Sequence, residues 1–227
     1  MNGTRLWPAW PFAVSYTATM FLNRSASKKS ADDAALPDRE EVMLVADAHA
    51  VLGTPMVGPF PDGLECIVFS MGCFWGPERI YWELDGVFTT AAGYAGGATV
   101  NATYDDVGTG RTGHAESVLV VFDPAVVELQ ALLALFWEHH DPTTPNRGGF
   151  GSQYRSIIFT TSPDQHAEVL ASRDRYQTRL TDRGYQKIQT EIREADEFYY
   201  AEDRHQQYLH KRPNAFCANG FCQVSYK

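Results

Sequence analysis

Glu65-Cys66-Ile67-Val68-Phe69-Ser70 followed by Met71-Gly72-Cys73-Phe74-Trp75-Gly76-Pro77-Glu78 reads as a buried strand feeding a helix, and the rest of the chain is organised around that junction. The short apolar run predicts a strand over 65–70, and the spacing from Phe74 to Leu84 predicts a helix that stops at Gly86. Cys73 then sits at or just before a helix N-terminus, where unpaired N–H groups and the positive dipole end favour a thiolate. The glycines on either side permit a tight turn, and Phe74 and Trp75 can wall an apolar slot beside the sulfur. A buried structural cysteine is the alternative reading of Cys73. The paired glycines and rings favour reactivity.

Outward from that junction the elements alternate. Val87 to Tyr94 predicts a second strand ending in Gly93-Tyr94-Ala95-Gly96-Gly97, and a polar Gly/Thr/Asp loop leads to a third strand over Ala115 to Phe122. Asp123-Pro124 opens an amphipathic helix from Val126 to His139, and Tyr154 to Thr161 predicts a fourth strand. The order β-α-β-β-α-β is that of a ferredoxin-like split βαβ plait, an α/β (α+β) fold with both helices on one face of an antiparallel sheet. Additional elements follow: a polar helix capped by Ser162-Pro163-Asp164 and stopped by Gly184, an edge strand over Lys187 to Arg193, and a short helix over Phe198 to Lys211.

In such a plait the end of the first strand faces the starts of the third and fourth and the end of the second. Cys73, Glu116, Tyr154 and Tyr94 therefore fall along one sheet edge, and register decides whether their side chains share a pocket. A carboxyl buried there shifts toward its neutral form and can give a proton at neutral pH. The plainer readings are a solvated edge charge for Glu116 and half-buried ring packing for the tyrosines.

Four parts are expected: a poorly ordered leader over 1–40, an extended arm over 41–64, an α/β domain over 65–213, and a mobile tail over 214–227 carrying Cys217 and Cys222. Arg5 and the stretch Leu6–Leu22 resemble a signal peptide, but Pro8 and Pro11 interrupt it, so the expected location is cytoplasmic. Nineteen basic against twenty-eight acidic residues give a net charge of -9, which argues against nucleic acid or an anionic membrane as partner. A monomer is expected.

Four cysteines at 66, 73, 217 and 222 are too few and too uneven for a secreted disulfide framework. Their spacing also suits zinc poorly, and His139, His140 and Asp141 are explained by a helix terminus, so no metal is expected. One activated cysteine and two tail cysteines fit stepwise oxidation: a sulfenic acid, attack by a second thiol, exchange to a third.

Gly72-Cys73-Phe74-Trp75-Gly76, Gly93-Tyr94-Ala95-Gly96-Gly97, Gly113-His114-Ala115-Glu116, His140-Asp141-Pro142, Gly151-Ser152-Gln153-Tyr154-Arg155-Ser156 and Phe198-Tyr199-Tyr200-Ala201-Glu202-Asp203 occur in the order found in peptide methionine sulfoxide reductases of type A, as does His205-Gln206-Gln207-Tyr208-Leu209. The chain resembles that family from about Pro61 to Cys222. The resemblance implies that Cys73 attacks the sulfoxide sulfur while protonated Glu116 supplies a proton to the oxygen, held by Tyr94 and Tyr154. It further implies that Phe74 and Trp75 hold the S-methyl group of the S epimer. Cys217 then forms a disulfide with Cys73, and Cys222 passes the oxidation to thioredoxin. The substrates implied are free methionine sulfoxide or oxidised proteins.

The chain departs from the family pattern in a short Gly148-Gly149-Phe150 loop without an Asp, in closely spaced tail cysteines, and at Gly108-Thr109, where relatives often carry a cysteine. Cys66 matches no family role. The alternatives left by the residues themselves are a thiol peroxidase, a weakened relative that binds oxidised proteins, and a small zinc module.

Overall fold

The structure, a computed structural model, describes residues 36–144, 151–215, 217 and 224–226. The leader up to residue 35, the loop Gly148-Gly149-Phe150 and Cys222 lie outside the described residues. Its frame is a six-stranded sheet in the order β5-β4-β1-β3-β2-β6. The strands are β1 (Glu65–Met71), β2 (Val87–Ala95), β3 (Ala115–Phe122), β4 (Ser156–Thr160), β5 (Glu191–Glu194) and β6 (Phe198–Tyr200). The helices are α1 (Trp75–Trp82), α2 (Tyr104–Gly108), α3 (Leu129–Glu138), α4 (Pro163–Asp182) and α5 (Tyr208–Lys211). No helix among the described residues is long and apolar enough to cross a membrane.

β1 is central because both of its faces are apolar. It pairs antiparallel with β3, with Phe69 opposite Val118, and with β4, with Met71 opposite Ser156. Alternation sends Ile67, Phe69 and Met71 to the face covered by Tyr81 of α1, Leu132 and Phe136 of α3 and Val169 and Tyr176 of α4. Cys66 and Val68 point to the opposite face, where Leu119, Val121 and Phe159 meet Phe60 and Leu64 of the N-terminal arm. Cys66 is thus a packing residue of the second core, and burial pushes its thiol pKa up. Phe69, fully buried, stacks on Tyr81 at 4.9 Å and touches Phe136 at 5.4 Å. Truncating such a ring to alanine costs about 3–5 kcal/mol.

Several elements differ from the sequence reading. α1 ends at Trp82, and Gly86, with φ +93°, belongs to the turn into β2 rather than to the helix end. α3 begins at Leu129 because Asp123 closes its own turn, its carboxylate accepting from Ala125 N–H at 2.9 Å and its carbonyl from Val127 N–H at 3.0 Å. Tyr154 lies in a 3-10 turn (Ser152–Tyr154), so β4 starts two residues later, at Ser156. The edge strand is confined to Glu191–Glu194 and runs parallel to β4.

Two differences shape the site. Phe198–Tyr200 is a strand on β2, not the start of a helix. Gly93 makes room for it, since a Cβ there would stand 2.2 Å from the Phe198 ring. The polar loop after β2 contains α2, held by a reciprocal capping box between Thr103 and Asp106. The tail is tied down beyond its cysteines, where Val224 C=O accepts from the Tyr176 hydroxyl at 2.9 Å and Tyr226 N–H donates to Glu138 at 2.6 Å.

Candidate active site

The backbone leaves β1 through Gly72, whose φ of +100° only glycine adopts freely, and enters α1 at Phe74, its N-cap. Cys73 lies between them. Phe74 N–H, unpaired within the helix, donates to Glu116 Oε2 at 3.0 Å. Glu116 stands on β3 directly opposite Tyr94 of β2 and is 2% exposed, so it is no solvated edge charge. Burial pushes its carboxyl up to about 8 against the pull of the Phe74 N–H, leaving it protonated at neutral pH.

The thiol of Cys73 differs from the sequence reading. A hydrogen bond with Cys217, then burial, then the nearby Glu116 all hold its proton on, against the Trp75 N–H, which favours the thiolate. The helix terminus is therefore outweighed while Cys217 is docked. Cys217 is at hand, its Sγ 4.0 Å from the Cys73 carbonyl oxygen, and both cysteines are reduced.

Phe74 is 1% exposed and packs under the site against Tyr94 at 5.9 Å and His205 at 5.5 Å. Trp75, less buried, forms the open wall. Its indole stacks on Tyr208 at 3.9 Å with 11° between planes, and its N–H donates to His205 Nδ1 at 3.2 Å. The hydroxyl of Tyr94 is already spent, donating to Glu202 Oε2 at 2.9 Å. Glu202 Oε1 accepts from Tyr104 N–H at 3.0 Å; burial opposes its charge, but these donors hold its carboxyl below the usual range.

Tyr104, on α2, brings the hydroxyl that the sequence reading missed. Its hydroxyl lies near that of Tyr154, and both rings stand close enough to Glu116 and Cys73 that burial and those groups together keep the phenols protonated. The structure thus gathers Cys73, Glu116, Tyr154, Phe74, Trp75 and Cys217 at one sheet end, with Tyr94 beneath them. It adds Tyr104, His205 and Tyr208. The Thr103-x-x-Asp106 cap signalled α2 in the sequence, whereas the stacking of Tyr208 on Trp75 depends on a chain reversal that no local pattern announces.

His140 serves the fold, its ring nitrogens paired with Phe136 C=O and the Ser156 hydroxyl, both at 2.7 Å. His139 caps its own helix at Leu135 C=O, 3.0 Å away.

A cysteine at a strand-to-helix turn facing a buried acid and two phenols agrees with the family model that matches residues 65–225, described as peptide methionine sulfoxide reductase. The chain belongs to the peptide methionine sulfoxide reductase family. Similar proteins include the peptide methionine sulfoxide reductase MsrA of Rhodospirillum centenum, 58% identical over 193 residues, covering 84% of this chain and 88% of the relative. That of Pseudomonas aeruginosa strain LESB58 is 53% identical over 190 residues, 83% of this chain and 88% of the relative. Among solved structures, methionine sulfoxide reductase A of Corynebacterium diphtheriae superposes with a TM-score of 0.76 at 38% identity, covering 87% of this chain and 98% of that one. Reduced Mxr1 from Saccharomyces cerevisiae gives 0.63 at 33% identity over 70% and 91%. The mixed α/β sheet is therefore the architecture of this reductase family.

Proposed function

We propose that this protein reduces methionine S-sulfoxide, free or in proteins, to methionine through a sulfenic acid on Cys73. The observation that carries the reading is the meeting of Cys73 with a buried, protonated Glu116 at the end of β1. Substrate entering beside Trp75 places its S-methyl against the Trp75–Tyr208 stack and its oxygen toward Glu116, Tyr104 and Tyr154. As the Cys73 sulfur attacks, Glu116 protonates the departing oxygen, and the phenols donate to it as charge grows. The substrate S–O bond breaks and an S–O bond forms on Cys73. Methionine sulfur gains two electrons and Cys73 sulfur loses them. A thiol and a sulfoxide become a sulfenic acid and a thioether, so no net proton is consumed.

Cys217, docked beside Cys73, then attacks the sulfenic sulfur, forming the disulfide and releasing water. Cys222 accepts the oxidation by thiol–disulfide exchange and hands it to thioredoxin or another dithiol. Pairing the oxygen with Tyr104 and Tyr154, rather than Tyr94, is supported by the bond that commits the Tyr94 hydroxyl to Glu202 and by the nearness of the other two phenols to Glu116 and Cys73. The core itself is read as a split βαβ plait with α4, α5, β5 and β6 added. The antiparallel order β4-β1-β3-β2, with α1 and α3 on one face, supports that reading.

Turnover of S- and R-sulfoxide peptides with thioredoxin or dithiothreitol tests the proposal. Wild type is expected to reduce the S epimer alone, and Cys73→Ser neither. Efficient peroxide reduction without sulfoxide turnover would instead establish a thiol peroxidase.

A further inference from the structure

A second buried carboxyl, Glu78, lies one helical turn beyond Trp75 on α1 and has no part in the chemistry above. It is 0% exposed, and both oxygens are occupied by one residue. Gln207 N–H donates to Oε2 and Gln207 Nε2 to Oε1, each at 2.8 Å. Gln207 holds a left-handed backbone (φ +45°, ψ 44°) that a glutamine rarely adopts, immediately before α5. The next residue is Tyr208, whose ring covers Trp75.

The carboxyl is also wired outward with a fixed polarity. His49 Nδ1 accepts from Val51 and Leu52 N–H, both at 3.1 Å, so its Nε2 carries the proton and donates to Thr90 Oγ1 at 2.9 Å. The Thr90 hydroxyl is then free to turn its hydrogen toward Glu78, whose ionised form it favours. Gln207 Oε1 in turn accepts from Ala50 N–H at 3.2 Å. The arm around 49–52, α1 and the start of α5 therefore converge on one buried group.

We propose that Glu78 is a positioning residue: by fixing Gln207 in its left-handed conformation it sets the Tyr208 ring against Trp75, and through Thr90 and His49 it makes the N-terminal arm part of the substrate slot. The inference rests on the reading of Trp75 as the wall that receives the S-methyl group. Glu78 touches no reacting atom, so its loss acts on binding. An aromatic stack contributes enough that losing its alignment weakens binding about three- to tenfold.

The test is binding of an S-sulfoxide peptide to Cys73→Ser, which cannot react, with and without Glu78→Gln, alongside KM and kcat in proteins that keep Cys73. Glu78→Gln is expected to weaken binding and raise KM by about three- to tenfold while kcat stays within about twofold. Thr90→Val, which removes one donor and keeps the shape, is expected to shift KM the same way by less, and carries the test should Glu78→Gln fail to fold. Unchanged binding in a folded variant, or a fall in kcat at constant KM, overturns the proposal. Failure of Cys73→Ser itself to bind the peptide would count against the slot and leave the Glu78 network unaddressed, so the KM of the Cys73 proteins then decides it.

Discussion

Glu116 and Glu78 are chemically the same group, are buried to nearly the same degree, and are both pushed up to about 8 by that burial, yet their surroundings suit them to the opposite uses proposed above. Glu116 has a single donor among the described residues, the Phe74 N–H, and Cys73, Tyr104 and Tyr154 lie around it. Both oxygens of Glu78 are taken by Gln207, with the Thr90 side chain close by, and the group is fully buried. Desolvation alone thus makes a neutral acid. What makes it a proton donor for a reaction is an oxygen left without a partner where a substrate can reach.

The largest effect that separates the two is expected for Glu116→Gln, which keeps the Phe74 contact but removes the proton. The rate of methionine formation in a single turnover should fall about 10²- to 10⁴-fold. A fall smaller than tenfold would erase the distinction. Next come the phenols: Tyr104→Phe and Tyr154→Phe should each slow that step by about 10². Tyr94→Phe should cost much less, because its hydroxyl is committed to Glu202. Equal losses at Tyr94 and Tyr104 would return the oxygen-binding role to Tyr94.

The pH dependence sharpens the same contrast. In the proposed reaction Glu116 acts while protonated, so the rate should hold below about pH 8 and fall above it, and this limb should be absent from the residual rate of Glu116→Gln. The smallest effect is on stability. Each carboxyl titrates at about 8 when folded against 4.5 when exposed, so the folded state holds the extra protons between those values. Unfolding free energy should therefore decline as pH rises from about 5 to 8, and each Gln variant should flatten the decline. Urea midpoints at the two ends of that range check it.

Much of this was legible in the chain because the deciding signals are local. The strand–Gly–Cys–helix junction follows from an apolar run, a glycine and helical spacing, and Ser162-Pro163-Asp164 announces α4 by its cap. The third strand reads correctly because Val118, Val120 and Phe122 alternate with Leu119 and Val121 across two apolar faces. What escaped depends on contacts distant in sequence. β6 is a strand because Gly93, more than a hundred residues earlier, lets it approach. The protonated Cys73 reflects Cys217, brought from the far end of the chain, which outweighs the helix terminus that local reasoning weighed alone.

The most direct measurement uses Cys217→Ser, in which an oxidised Cys73 has lost its docked partner. One equivalent of S-sulfoxide peptide is added without reductant, and the protein is analysed by mass spectrometry after trapping sulfenic acid. Methionine formed mole for mole with a gain of one oxygen on Cys73 is the predicted result. Methionine formed with Cys73 unmodified, or with the oxygen on another residue, would contradict the account.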